Sequence, residues 1–570
     1  MFTLITLLSS FAALPGVFGA ALTLDARNDT TCVNSASDRS CWSEGYDLST
    51  NYYENVPDTG VVREYWFNIE NTTASPDGFE MPVQLINGSF PGPTIIADWG
   101  DTVGNPILMP DITVVHVSNS LQNNGTGIHF HGIRQNWTSE MDGVPSITQC
   151  PIAPGDAATY TWRAVQYGTG WYHSHFYVQA WDGVFGGIIV NGPATANYDV
   201  DLGHIFLNDW YHSTADELVL KAATGGPPTA DNGLINGTNT YNDTMGSRFE
   251  TTFEAGTRYR IRLVNAAADS HFRFMIDNHT LEVISTDFVP IVPYTTDQVS
   301  IGMGQRYDVI VTAKDITSGN FWLRAIPQES CSETDAVDNV KGIVRYGNST
   351  ADPTTSAYSY SDSCLDEASS NLVPYLVIDA PDTSSFDDNS EIGVQVTENA
   401  LLWTVNATSF HTEWDYPTLL QVAEGNDTWA TKQHVIELPD ADKWVYMIIH
   451  SPFAQDHPMH LHGHDFWVLA SGYGNFDSNQ TRSLQLVNSP RRDVAMMPAS
   501  GYLVVALQTN NPGAWLMHCH IAWHTSEGFA VQLLERESEM TYDYDTLSST
   551  CANWNSYVAA ENVGQYDSGV

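Results

Sequence analysis

Short runs of alternating apolar and polar residues recur through most of the chain. They are rich in Val, Ile, Thr and Tyr and bounded by Gly, Pro, Asn and Asp. DITVVHVSNS (111–120), AATYTWRA (157–164), GGIIVNGP (186–193), RYRIRLVNA (258–266), RYDVIVTA (306–313), YLVVALQT (502–509) and FAVQLLER (529–536) are examples. A period of two puts every second side chain on one face, as in a half-buried β-strand. Turn signals such as GDTVGNP, APGDAAT and EAGTRYR punctuate the runs, and helical periodicity is scarce. The pattern predicts an all-β protein of the sandwich kind. At 570 residues the chain has room for about three to five ordinary domains. One boundary is expected at IIVNGPATANYD, around residues 190–199. A second is expected in the low-complexity acidic stretch from Ser349 to about Ser390, which reads as a linker laid over the surface. Three β-domains result, at residues 37–193, 194–372 and 373–570.

The first residues, MFTLITLLSSFAALPGVFGAA, are apolar and end in small side chains. They read as a secretory signal over residues 1–20, although without the usual Lys or Arg at the start. No later segment has 18 uninterrupted apolar residues, so no membrane association is expected after processing. Twelve N-x-S/T sequons, from Asn28 to Asn479, fit a secreted glycoprotein. Asp and Glu number 67 against 22 Lys and Arg, a formal net charge of −45. Such a chain lacks the basic surface that phosphate backbones and anionic membranes require, so nucleic acid is excluded as a partner. Seven cysteines are an odd number, which in an oxidising compartment leaves one thiol over. Cys519 draws attention because it sits between two histidines.

The 19 histidines are distributed unevenly. Chance placement gives fewer than one H-x-H pair, yet five occur, in the clusters HFHG (129–132), WYHSH (171–175), HPMHLHGH (457–464) and HCHIAWH (518–524). Two clusters fall in the first expected domain, two in the third and none in the second. In a strand, H-x-H presents two imidazoles on one face. Four such pairs brought together supply eight nitrogen donors suited to copper, zinc, iron or nickel. In HCH the sulfur of Cys519 points away from His518 and His520 and so addresses a different metal. Cys519 with two histidines makes the trigonal donor set of an electron-transfer copper.

HFHG, HSH, HPxHLHGH and HCHIxxH, in this order and spanning nearly the whole mature chain, resemble the four copper signatures of the multicopper oxidases. Within that family the sequon density, TQCPIAPG, SPRRDVAMMP and the closing DSGV are similar to secreted ascomycete laccases. The resemblance implies three cupredoxin-like Greek-key β-barrel domains, four copper ions per chain and, we expect, a monomer. It places a type 1 copper on His457, Cys519 and His524, and a type 2 copper on His129 and His460. Two type 3 coppers fall to His131, His173, His175, His462, His518 and His520. His464 has no ligand role in the family. Phe529, ten residues after Cys519, stands at the axial position, where it donates no lone pair and raises the potential. The resemblance also implies the pairs Cys32–Cys41, Cys150–Cys551 and Cys331–Cys364.

The expected activity is one-electron oxidation of phenols, diphenols and aromatic amines, coupled to reduction of O₂ to water, with His524 at the floor of the substrate pocket. Asp269 is expected to take the substrate proton, with Asp231 as second choice and Pro228 and Trp523 as pocket walls. Asp142 corresponds to a family acid that relays protons beside the trinuclear cluster. The tail Asp567-Ser568-Gly569-Val570 is expected to insert into the channel leading to that cluster. A ferroxidase, a bilirubin- or ascorbate-oxidase-like enzyme, and a copper-storage or structural secreted glycoprotein are the rival readings.

Overall fold

The computed structural model describes residues 32–103, 114–242, 244–383, 385–396, 401–477 and 481–570. The expected leader at residues 1–20 and the sequon residues Asn28 and Asn479 lie outside them. The alternating runs form strands, at Val114–Asn119, Ala157–Tyr160, Phe185–Asn191, Arg258–Asn265, Arg306–Thr312, Gly501–Gln508 and Ala530–Glu535. In Val114–Asn119, Val115 and Val117 are fully buried and Ser118 is exposed, as a period of two requires.

The strands build three cupredoxin-like domains. In the first, Met81–Ile86, Glu64–Ala74, Val114–Asn119 and Ala157–Tyr160 form one sheet. Gly92–Asp98, Phe185–Asn191, β2 (Gly168–Ser174) and β1 (Ile128–His131) form the sheet that faces it. Parallel pairing of Glu64–Ala74 with Val114–Asn119, and of Gly92–Asp98 with Phe185–Asn191, marks the Greek-key crossovers. The second and third domains each pair a six-stranded with a five-stranded sheet. The five-stranded sheet of the third domain runs Val435–Leu438, Ala530–Glu535, β4 (Gly513–Cys519), β3 (His457–Leu461), Val494–Met497.

Phe67, Val115, Phe130 and Ile188 share the first core with Phe288 of the second domain. A continuous core joins the second and third domains, from Phe272 and Met303 to Trp515 and Cys519. Residues 349–383 form no strand or helix, and the Cys331–Cys364 bridge clips this stretch to the second domain.

Helices are few: α1 (Ala215–Gly225), α2 (Ala522–Ser526) and α3 (Tyr544–Glu561) matter here. Asp543 caps α3 by accepting from the backbone N–H groups of Asp545 and Thr546. Cys551 of α3 is bonded to Cys150, and Cys32 to Cys41, which leaves Cys519 as a buried free thiol. Among the described residues no helix is long and apolar enough to cross a membrane.

Candidate metal centres

In the first domain β1 and β2 are antiparallel, with His129 opposite His173 and His131 opposite Trp171. Phe130 turns into the core, so the histidines on either side of it share the other face. In the third domain β3 and β4 set His460 opposite His518 and Met459 opposite Cys519. The two histidine faces meet across the boundary between these domains. Ring centroids lie 3.8 Å apart for His129–His462 and for His131–His460. They lie 5.3 Å apart for His175–His518 and 5.7 Å apart for His173–His520.

The rings are oriented from outside. Nδ1 of His462 donates to Oδ2 of Asp142 at 2.8 Å, and Nδ1 of His129 to the Asp142 carbonyl at 3.1 Å. Nδ1 of His460 donates to the Asp493 carbonyl at 2.8 Å, Nδ1 of His173 to the Ser174 carbonyl at 3.0 Å, and Nδ1 of His518 to the Cys519 carbonyl at 2.8 Å. An acceptor on Nδ1 fixes the proton there and leaves the Nε2 lone pair for a metal. Nε2 of His129, His173 and His460, and both ring nitrogens of His131 and His520, are buried without a hydrogen-bond partner. Nε2 of His462 and Nε2 of His518 face each other at 3.2 Å. Burial first, and repulsion among the rings second, hold His131, His173, His175, His460, His462 and His520 far below the ordinary imidazole range. His518 is pushed down to about 4, again chiefly by burial. Neutral imidazole is the ligand form. Donor atoms lie within 4.8 Å of one another in each of three sets: His129–His131–His173, His129–His460–His462 and His175–His462–His518.

Cys519 faces the opposite way, into the core of its own domain. Five residues of extended strand would carry His524 roughly 16 Å away. Helix α2 folds it back instead, so that its Nδ1 lies 3.5 Å from the Cys519 sulfur, with His457 Nδ1 at 3.8 Å. Burial pushes the Cys519 thiol up and His457 down to about 3. Phe529 packs its ring 5.1 Å from that of His457, and its carbonyl accepts from the Cys519 N–H at 3.1 Å.

Two glycines of the motifs are dictated by contacts. A Cβ on Gly132, at φ +85°, would fall 2.3 Å from Arg306 Nη2 and 2.8 Å from Asp493 Oδ2. On Gly463, at φ +69°, it would fall 2.4 Å from the Trp515 ring.

The second domain supplies no metal donor to these sets but braces the site. Arg306 donates to both Asp493 oxygens at 2.5 Å, and Asp493 Oδ1 lies 3.3 Å from His131 Nε2. Asp287, held low by Arg492 and Arg306 despite its burial, accepts from the backbone N–H of Asp493 at 3.0 Å. Neither Asp493 nor Arg306 was singled out as a site residue from the sequence. Asp493 sits in the quoted SPRRDVAMMP, but its reach to His131 exists only in three dimensions.

The other predicted residues are more scattered. His464 approaches Glu535 Oε2 at 3.0 Å, and its Nδ1 donates to the His462 carbonyl at 3.3 Å. Val570 is buried and lines a small cavity with His173, His175, His518 and His520. The segment before it is fixed by Ser568 N–H donating to the Ser526 carbonyl at 3.0 Å and by Thr412 N–H donating to the Ser568 carbonyl at 2.9 Å. A separate cavity of ≈ 90 Å³ opens on His524, with Trp523, Trp403, Leu401 and Pro227 as walls. Pro227, rather than its neighbour Pro228, lines it. Asp269 does not line it; the residue is 2% exposed and its Oδ1 has no partner. Asp231 stands apart, accepting from the His212 N–H at 2.8 Å. Glu527 lines the cavity and was missed, although its i+3 spacing from His524 on a helical turn was a usable signal.

Residues 68–195, 202–349 and 401–539 each match a multicopper oxidase family model. The chain is 46% identical to Laccase-2 of Botryotinia fuckeliana, over 100% of this chain and 99% of that protein. The crystal structure of the laccase from Botrytis aclada superposes with a TM-score of 0.90 at 45% identity, covering 95% of this chain and 100% of that one. Fet3p, described as a multicopper oxidase that functions in iron import, superposes with a TM-score of 0.76 at 25% identity, covering 89% and 97%. With signatures, donor geometry and full-length likeness in agreement, this chain belongs to the multicopper oxidase family.

Proposed function

We propose that the chain is a secreted, monomeric laccase that oxidises phenols, diphenols and aromatic amines one electron at a time and reduces O₂ to water. Four coppers per chain fit the donors. His457, Cys519 and His524 would hold one, and His129 and His460 a second. His131, His173 and His520 with His175, His462 and His518 would hold a pair. The buried, unpartnered imidazole nitrogens support copper, since without a cation each is an uncompensated buried polar group, and so does the buried Cys519 sulfur with His524 and His457 gathered about it. Bound there, copper supplies one-electron transfer at the sulfur site and dioxygen reduction at the histidine cluster.

The chain's own residues do the rest. His524 borders the cavity, so a planar aromatic donor among Trp403, Trp523 and Leu401 comes to rest against its ring. Cys519 is covalently joined to both His518 and His520, the shortest through-bond link between the two donor sets. Asp142 holds the Nδ1 protons of His129 and His462 and keeps their other nitrogens turned inward. Val570 lines the cavity beside the cluster and limits water there.

This back-to-back arrangement of Cys519 and His518 carries the reading. Copper analysis with an absorption spectrum tests it, together with O₂ uptake on a methoxyphenol against Fe(II). A thiolate-to-copper band and faster uptake with the phenol are expected. Faster uptake with Fe(II) would make the chain a ferroxidase, and an inert copper-loaded protein would make it a store.

A further inference from the structure

We infer that Glu527 is the group that takes the hydroxyl proton of a phenolic substrate as that substrate gives up its electron at His524; the inference rests on the laccase reading. Both residues line the one cavity of ≈ 90 Å³. Glu527 is 8% exposed, and its Oε1 is buried without a hydrogen-bond partner. Its backbone is fixed on three sides. The N–H donates to the Trp523 carbonyl at 3.0 Å, and the carbonyl accepts from the Trp403 N–H at 2.9 Å and the Ser409 hydroxyl at 3.2 Å. A carboxylate so placed, lining the same cavity as the electron exit, is suited to receive a proton from a hydroxyl resting on His524.

The alternatives are less well positioned. Asp269 is 2% exposed and does not line this cavity, and Asp231 is engaged by His212. Burial raises Glu527 to about 8, opposed by the Trp403 side chain, so its ionised form is a stronger base than an exposed carboxylate. His524 shares the cavity, and the Tyr177 phenol feels the Glu527 charge.

The step balances. The phenol O–H bond breaks, its proton passes to the Glu527 carboxylate, one electron leaves through His524, and a neutral phenoxyl radical departs. Four such events supply the four electrons that convert one O₂ to two waters; the four protons go to solvent, from which the cluster draws four.

The test compares copper-loaded wild type with E527Q on 2,6-dimethoxyphenol and on ferrocyanide, an electron donor that carries no proton. The ratio of kcat/KM, phenol over ferrocyanide, is expected to fall about 100-fold, the scale of a lost general base. Formate is expected to restore part of the phenol rate to E527A. Equilibrium dialysis with 4-nitrophenol, a phenol too electron-poor to turn over readily, is expected to show weaker binding to E527Q. An unchanged ratio, or a fall produced by D269N and not by E527Q, overturns the inference. Should E527Q lose its thiolate band, E527D serves in the same comparison, because it keeps the charge and withdraws the oxygens by one carbon. Failure of the wild type to consume O₂ with either donor would defeat the laccase reading instead.

Discussion

Asp142 Oδ2 accepts the Nδ1 proton of His462 at 2.8 Å across the boundary between the first and third domains. The aspartate is fully buried, and its carbonyl also takes the proton of His129. One residue therefore sets the tautomer of a histidine in each half of the cluster.

D142A should release the His462 ring, while the backbone carbonyl of residue 142 still holds His129. Loss of a group that orients ligands costs about 10–100-fold in metal affinity or activity. We expect copper to fall selectively at the histidine cluster, with the thiolate band at Cys519 retained. Copper analysis beside the visible spectrum reads both; loss of the band together with the cluster metal would show a general collapse instead.

F529M tests the axial position. The Phe529 carbonyl is tied to the Cys519 N–H, so a thioether in place of the ring starts from a fixed backbone. A sulfur donor stabilises the oxidised metal relative to the reduced one. The potential of the Cys519 site should drop in a redox titration, and oxidation of electron-poor phenols should slow more than that of electron-rich ones. An unchanged potential would mean that position 529 does not reach the metal.

The legible part of this molecule was what repeats along the chain. H-x-H in strands puts His129 with His131 on one face, and the intervening Phe130 and Cys519 on opposite faces from their neighbours, because the period of a strand is two. The alternating runs were legible for the same reason. What was hidden depends on the meeting of distant segments. Asp493 reaches His131 only because Arg306, from the second domain, pins it there. Asp269 looked like a pocket acid by resemblance, but it lies outside the cavity lining, whereas Glu527 comes in on the turn of α2.

Stability should decline as pH rises from about 6.5, where imidazole has ceased to titrate in the unfolded chain, to about 8. Burial pushes Asp182 up to about 7 and Asp269 and Asp567 up to about 8. In this window the folded chain binds protons that the unfolded chain has lost, so their contribution is full below the unfolded value and vanishes as pH passes the folded one. Burial raises Asp308 too, yet Arg260 and Arg262 more than offset it and hold it low, so its contribution is lost in acid instead. The buried imidazoles act the other way below about 6.5, where the unfolded chain binds protons that the folded chain does not, so the maximum lies at about pH 6–7. D269N, which mimics the protonated acid, should shrink the Tm difference between pH 6.5 and pH 8. An equal difference in wild type and variant would show that Asp269 ionises normally.

The Cys150–Cys551 bridge spans 401 residues and fastens α3 to the first domain. Around it Cys150, Leu419, Cys551 and Trp554 pack in one apolar cluster, so the covalent link and the packing act at one place. Closing so long a loop removes much freedom from the unfolded chain, and a native bridge of this kind typically contributes about 2–5 kcal/mol. In C551S the helix keeps its Asp543 cap but loses its tether, so α3 should open before the β-domains do. Limited proteolysis should cut between Met540 and Tyr544 in the variant long before the wild type, and the half-life of O₂ consumption at elevated temperature should shorten. If the half-life shortens while that segment stays protected, the bridge stabilises the domain pairing as a whole rather than the docking of α3.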